Sequence, residues 1–265
     1  MKKIAVLILV MIIGAGAFTG CKKKLAGLTI TPGVLSIGME IGYPPMEYFD
    51  ADGKTPIGFD VEMGKAVAAK MGLEPKFIDT AWDGIFAGVN TDKYDCIMSS
   101  VTINEARLKA HNFSKPYIQN TLAIVLPKDS AINISSPQDL AGLRVSYQEE
   151  TTSDFFMEDL ANQGMQFTPY EYDKVMYCFD ELKLGRVDVI VTDLLVAYEY
   201  VGRADSPFKI VWTGGEEEFG ICMKKGNDAL TAAIDKALDE LFADGTMLKI
   251  SQNIFGMDLV SAVRK

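Results

Sequence analysis

Short apolar runs alternate with amphipathic stretches along most of the chain, the pattern of strands alternating with helices. Val34-Leu35-Ser36-Ile37-Gly38 reads as a strand. A helix opens at Phe59-Asp60-Val61, carries Val61, Met63, Ala66, Val67 and Met71 at helical spacing, and stops at Gly72. Residues 75–78 form a second strand, Ala81-Trp82-Asp83 opens a helix to about 89, and Cys96-Ile97-Met98 is a third strand. A second unit begins at Thr121. Strands are predicted over 122–126, 143–147, 167–170 and 189–193, with helices after Thr151-Thr152-Ser153-Asp154, over about 173–184 and over 194–201. Residues 210–212 and 219–223 read as strands around an acidic loop, 214–218, expected to be a solvated turn or hinge. An amphipathic helix over 227–244 and a last one over about 247–253 close the chain. The β-α-β order argues for parallel sheets flanked by helices. Two such units, with the chain crossing between them twice, imply two lobes and a cleft: 34–118 with 217–265, and 119–216.

The chemistry concentrates at strand ends, where α/β sheets bind ligands. Cys96-Ile97-Met98 runs into Ser99-Ser100-Val101-Thr102, then a polar turn and Arg107. Hydroxyls followed by a guanidinium make a receiver for an anion, because Arg offers a planar donor fork that fits a carboxylate. Asp193 ends a strand, where it faces a ligand or caps the next helix. Thr151 and Thr152 open a helix whose free N–H groups favour an anion or are simply capped. Tyr43 is held by Pro44-Pro45 as a flat platform or a rim residue, and Trp82 walls a pocket or packs in the core.

Composition narrows the function. The 265 residues suit one large or two medium domains, and the 48% apolar and 23% charged content is that of a globular protein. The net charge of −10 argues against nucleic acid. With one histidine, His111, any His-based metal or Ser–His–Asp chemistry rests on that residue, and no metal site is assigned.

The N-terminus reads as a processing signal. Met1-Lys2-Lys3 precedes an apolar run, 4–13, too short to span a bilayer. Gly20-Cys21 behind it resembles a lipobox, with Phe18 where Leu is usual. Residues 1–20 are then a lipoprotein signal peptide, Cys21 the lipid-modified residue and 21–33 a tether; the alternative is an ordinary secretory signal. Removing 1–20 takes away Lys2 and Lys3 and makes the charge −12. Cys96, Cys178 and Cys222 remain, an odd number, expected as buried small hydrophobes, with a Cys96–Cys222 pair left open.

Over about residues 34–255 these features resemble solute-binding protein family 3, the polar amino-acid receptors of ABC importers. The matching stretches are Gly42-Tyr43-Pro44-Pro45-Met46-Glu47-Tyr48, Gly58-Phe59-Asp60-Val61-Glu62, Trp82-Asp83-Gly84-Ile85, Ser99-Ser100-Val101-Thr102-Ile103 with Arg107, Thr151-Thr152-Ser153, Gly185-Arg186-Val187-Asp188 and Ala243-Asp244-Gly245-Thr246. The resemblance implies a two-lobed periplasmic-binding-protein type II fold, each lobe a mostly parallel sheet. It implies an extracytoplasmic receptor, lipid-anchored to the membrane, monomeric, without a cofactor, that delivers a polar, basic L-amino acid to ABC permease subunits. By the same resemblance Arg107 clamps the α-carboxylate, with N–H groups near Thr102 and Thr152. Ser100 and Thr102 take the α-ammonium, which Asp193 neutralises, and Ser99 and Thr151 also belong to the ligand site. Tyr43 and Trp82 sandwich the side chain, and Glu40 and Gln148 face its distal end. Two departures stand out: Glu150 where the family has Gly, and Met46 where Phe is usual. An enzyme on this fold, cyclohexadienyl dehydratase-like, and a ligand-sensing lipoprotein are the alternatives.

Overall fold

A computed structural model describes residues 27–264, so the expected signal peptide, 1–20, and Cys21 lie outside the described residues. In chain order the elements are β1 (Val34–Met39), β2 (Tyr48–Phe49), β3 (Pro56–Ile57), α1 (Phe59–Met71), β4 (Glu74–Asp79), α2 (Ile85–Asn90), β5 (Cys96–Ile97), α3 (Glu105–Ala110), β6 (His111–Phe113), β7 (Ile118–Pro127), β8 (Arg144–Gln148), α4 (Thr152–Asn162), β9 (Thr168–Tyr172), α5 (Val175–Lys183), β10 (Val189–Asp193), α6 (Leu194–Val201), β11 (Phe208–Phe219), β12 (Cys222–Lys224), α7 (Asp228–Ala243) and α8 (Thr246–Phe255).

Two five-stranded sheets result, in the orders β4-β1-β5-β12-β6 and β11-β7-β10-β8-β9. Each is mixed rather than mostly parallel. In the first, β1 pairs parallel with β4 and β5, while β12 runs antiparallel to β5 and β6. In the second, β8 pairs parallel with β9 and β10, while β7 runs antiparallel to β10 and β11. The antiparallel members come from distant chain: β12 returns to the first sheet after the whole second one has been made.

β1 is buried from Leu35 to Met39, as a central strand covered on both faces must be. α1 lays Val61, Met63, Val67 and Met71 in the core, and Gly72 ends it at φ 68, a left-handed turn that glycine takes without strain. The expected acidic loop 214–218 is instead strand. β11 runs through it and pairs with β7 from Pro127↔Phe208 to Ile118↔Phe219, with two register shifts. These adjacent strands carry the two crossovers.

The last residues of the expected tether already pack on the first sheet's lobe. Thr29 is buried, and the Ile30 N–H donates to Asp95 Oδ1 at 2.6 Å. Cys96, Cys178 and Cys222 are buried and free. Cys96 lies opposite Met223 and Cys222 opposite Ile97, so the two thiols point to opposite faces of the sheet and form no bridge.

Candidate functional site

The segments leaving the C-terminal ends of β1, β4, β5, β8 and β10 converge between the sheets, where open α/β sheets place ligands. They carry all eleven expected residues. Glu40 and Tyr43 follow β1, Trp82 follows β4, and Ser99, Ser100 and Thr102 follow β5. Arg107 comes from α3, Gln148 ends β8, Thr151 and Thr152 open α4, and Asp193 ends β10. These residues and a twelfth, Glu47, border one enclosed gap.

The lobes meet through these same groups. Gln148 Nε2 donates to Glu40 Oε2 at 2.7 Å, Tyr43 OH to Asp193 Oδ2 at 2.6 Å, and Trp82 Nε1 to the Glu150 carbonyl at 3.0 Å. The gap left between them is about 20 Å³, room for one water. Tyr43 is therefore a hydrogen-bond partner of Asp193 as well as an apolar wall. Asp193 does not cap α6 with its side chain; its second oxygen accepts from Asn120 Nδ2 at 2.7 Å. Nor does Thr151 cap α4. Its hydroxyl turns back to the Gln148 carbonyl at 2.7 Å.

Arg107 lies in a short helix where a polar turn was expected. Asn104 caps that helix by accepting from the Arg107 N–H at 2.9 Å, which fixes where the side chain starts. The guanidinium reaches back to the Thr102 carbonyl at 3.1 Å and stands 5.4 Å from the Trp82 ring and 5.2 Å from the Phe86 ring. It is 8% exposed and forms no ion pair among the described residues. Burial lowers its pKa, and the charges of Glu217 and Asp193 oppose that.

Around this one cation stand several buried acids. Burial pushes Glu40 up to about 7, against the Gln148 hydrogen bond, and Asp193 up to about 8, helped by the nearby Glu217 charge. Glu47 is raised well above the carboxylate range by burial and by Asp60 behind it. Asp60 itself is raised to about 7 by burial while accepting from the Ser100 N–H and Tyr117 OH. Three buried atoms on the gap lack any hydrogen-bond partner: Glu47 Oε2, Gln148 Oε1 and Ser100 Oγ. Buried polar atoms are normally satisfied, so such a cluster points to something that binds there. Ser100 also sits at φ 50, a left-handed conformation that costs a non-glycine residue energy and collects at functional sites.

Sequence reasoning missed Glu47, Asn120 and Glu217. Glu47 stands beside Tyr43 because the chain doubles back, with the Tyr43 N–H donating to the Glu47 carbonyl at 2.8 Å. Its signal was already inside the Tyr43-Pro44-Pro45-Met46-Glu47 stretch. Glu217 lies half-buried between exposed Glu216 and Glu218, the alternation of a strand. His111 is buried against Phe86, and no cluster of His, Cys and acids able to hold a metal occurs among the described residues.

The fold and this interlobe site define a class, and comparison with known proteins gives it a name. The chain belongs to the bacterial extracellular solute-binding proteins, family 3, whose family model matches residues 35–257. It is similar to the L-cystine-binding protein TcyJ of Escherichia coli (strain K12), 30% identical over 228 residues, which cover 86% of this chain and 84% of that one. Among solved structures it resembles an ancestral arginine-binding protein bound to arginine, at 37% identity and a TM-score of 0.80, covering 84% of this chain and 98% of that one. It also resembles the ancestral amino acid-binding protein AncCDT-1, a precursor of cyclohexadienyl dehydratase, at 32% identity and a TM-score of 0.77, covering 84% and 96%.

Proposed function

We propose that this protein captures a polar, basic L-amino acid by closing its lobes, 34–118 with 217–265 and 119–216, and delivers it to the permease of an ABC importer. Cys21 anchors it as a lipoprotein on the extracytoplasmic face. The observation that carries the ligand class is Arg107, a buried cation without an ion pair among the described residues, set among buried acids on one gap. An α-carboxylate satisfies Arg107, whose charge otherwise stays buried and uncompensated. The α-ammonium goes to Asp193 and the hydroxyls of Ser100 and Thr102. A side-chain cation meets Glu40, with Gln148 Oε1 and Glu47 Oε2 able to accept from it. The similarity to an arginine-binding protein agrees with this choice.

A thermal-shift screen of the twenty amino acids and cystine tests it, since a ligand that binds only the folded form raises the melting temperature. Arginine or lysine should give the largest shift; a larger shift with cystine or an acidic amino acid would replace the ligand class. An enzymatic reading has one observation behind it, the likeness to a dehydratase precursor. Incubation with prephenate and arogenate decides, and binding alone predicts no product. Replacing Cys21 with Ala should move the protein from the membrane to the soluble fraction.

A further inference from the structure

Beside the ligand gap lies a second, far larger space, a groove of about 1110 Å³ along the crossover strands. Thr102 and Thr152 border both, one from each lobe. Where the two spaces share these walls, the Glu217 carboxylate stands on the groove side of them. Its Oε2 accepts from Thr102 Oγ1 at 3.4 Å and from Asn120 Nδ2 at 2.9 Å, and Thr152 is nearby. Strand alternation turns Glu217 inward while Glu216 and Glu218 face water, and pairing with β7 holds it there.

We infer that the Glu217 side chain, on the groove side of Thr102 and Thr152, blocks the way out of the ligand chamber and makes the protein select free amino acids against those extended through their carboxyl group. The inference rests on the proposed seating of the ligand carboxylate at Arg107. That guanidinium is bonded to the Thr102 carbonyl, so the carboxylate end of the chamber is the end that Glu217 closes. A substituent on the ligand's carboxyl carbon must pass between Thr102 and Thr152, where the glutamate stands. With the wall removed it enters the groove, which has room for a further residue. Specificity of this kind works by obstruction of the wrong ligand rather than by better contact with the right one.

Calorimetric titration with L-arginine and with arginyl-glycinamide tests this. The dipeptide amide has an uncharged tail, so Glu216 and Glu218 do not repel it. Its missing carboxylate weakens binding, so the dipeptide amide is titrated at high concentration, and Glu217→Gln separates the lost charge from the lost bulk. In Glu217→Ala the preference for arginine over the dipeptide amide should fall at least about tenfold from wild type. Glu217→Ser repeats the test with a second small side chain, and Asn120 Nδ2 keeps its bond to Asp193. Glu217→Gln, which keeps the bulk, and Glu218→Ala, at an exposed residue of the groove that faces away from the shared threonines, should keep the wild-type preference. An unchanged preference in the Ala and Ser variants overturns the inference, and so does an equal fall in Glu217→Gln, which would make the effect one of charge. Wild-type protein that does not bind arginine overturns the ligand reading, and this inference with it.

Discussion

The acids on the gap make ligand affinity depend on pH in a way that counts them. At neutral pH burial keeps a proton on Asp193, with its pKa pushed up to about 8, and leaves Glu40 half-protonated at about 7. An arriving cation requires the ionised carboxylate, so binding expels the proton and is opposed wherever the free protein holds it. Affinity therefore rises with pH. Each group that must lose its proton contributes about tenfold per pH unit below its pKa and nothing above it. For arginine, with two cationic groups, both acids act below pH 7, Asp193 alone between 7 and 8, and neither above. The slope is then about a hundredfold per unit near pH 6, about tenfold near 7.5 and flat beyond about 8.5. A neutral ligand such as glutamine engages Asp193 alone and should show the tenfold limb only. Stability of the ligand-free protein runs the opposite way. A carboxyl whose folded pKa is raised stabilises the fold while protonated, fully below its unfolded value near 4, and that contribution is lost as pH rises through 7 and 8. The melting temperature should fall from pH 5 to 8 while the ligand-induced increase grows. Calorimetry from pH 6 to 9 in buffers of different ionisation enthalpy reads the released protons directly. Arginine binding without proton release at pH 6.5, or with affinity that falls as pH rises, would refute the electrostatic account.

Three further outcomes follow from single side chains. Arg107→Ala removes the one cation proposed for the carboxylate and should cost on the order of 3–5 kcal/mol, enough to abolish a micromolar complex worth about −8 kcal/mol; unchanged affinity for every amino acid would remove Arg107 from the site. Glu40→Gln keeps shape and hydrogen bonding but not charge, so arginine affinity should fall about tenfold or more while glutamine affinity holds; equal losses would contradict its role at the side-chain end. Glu150 occupies φ 58, a left-handed position costing a side-chain-bearing residue about 1–2 kcal/mol, while glycine's own entropy cost is about 0.5–1 kcal/mol. Glu150→Gly should thus stabilise the protein by up to about 1 kcal/mol in urea unfolding, and destabilisation would mean that the Glu150 contacts outweigh the strain.

The strand–helix alternation and the polar residues just beyond strand ends were legible because both are local. Glu40, Ser99, Gln148 and Asp193 sit within a residue or two of the apolar runs that precede them. What sequence pattern could not show was pairing over long separations. The run Glu216-Glu217-Glu218 after two glycines has the composition of a solvated turn. Only its register against β7, about a hundred residues earlier in the chain, makes it strand and turns Glu217 inward. For the same reason the sheets came out mixed, because β12 joins β5 across more than a hundred intervening residues. Asn120 is the plainest case. A lone amide near the start of a strand has no local signature, yet here it bridges Asp193 and Glu217.

That bridging also shows what a ligand competes with. Tyr43 OH is bonded to Asp193, proposed for the α-ammonium, and Gln148 to Glu40, proposed for the side-chain cation. With about 20 Å³ between the lobes, no amino acid enters until these bonds part. Protons and protein donors thus hold the cleft shut through the groups that a ligand needs. The apparent affinity is the intrinsic one multiplied by the fraction of molecules that are open. Because the shut form keeps its acids protonated, that fraction depends on pH as well. Intrinsic binding and opening are therefore strengthened together as the acids ionise.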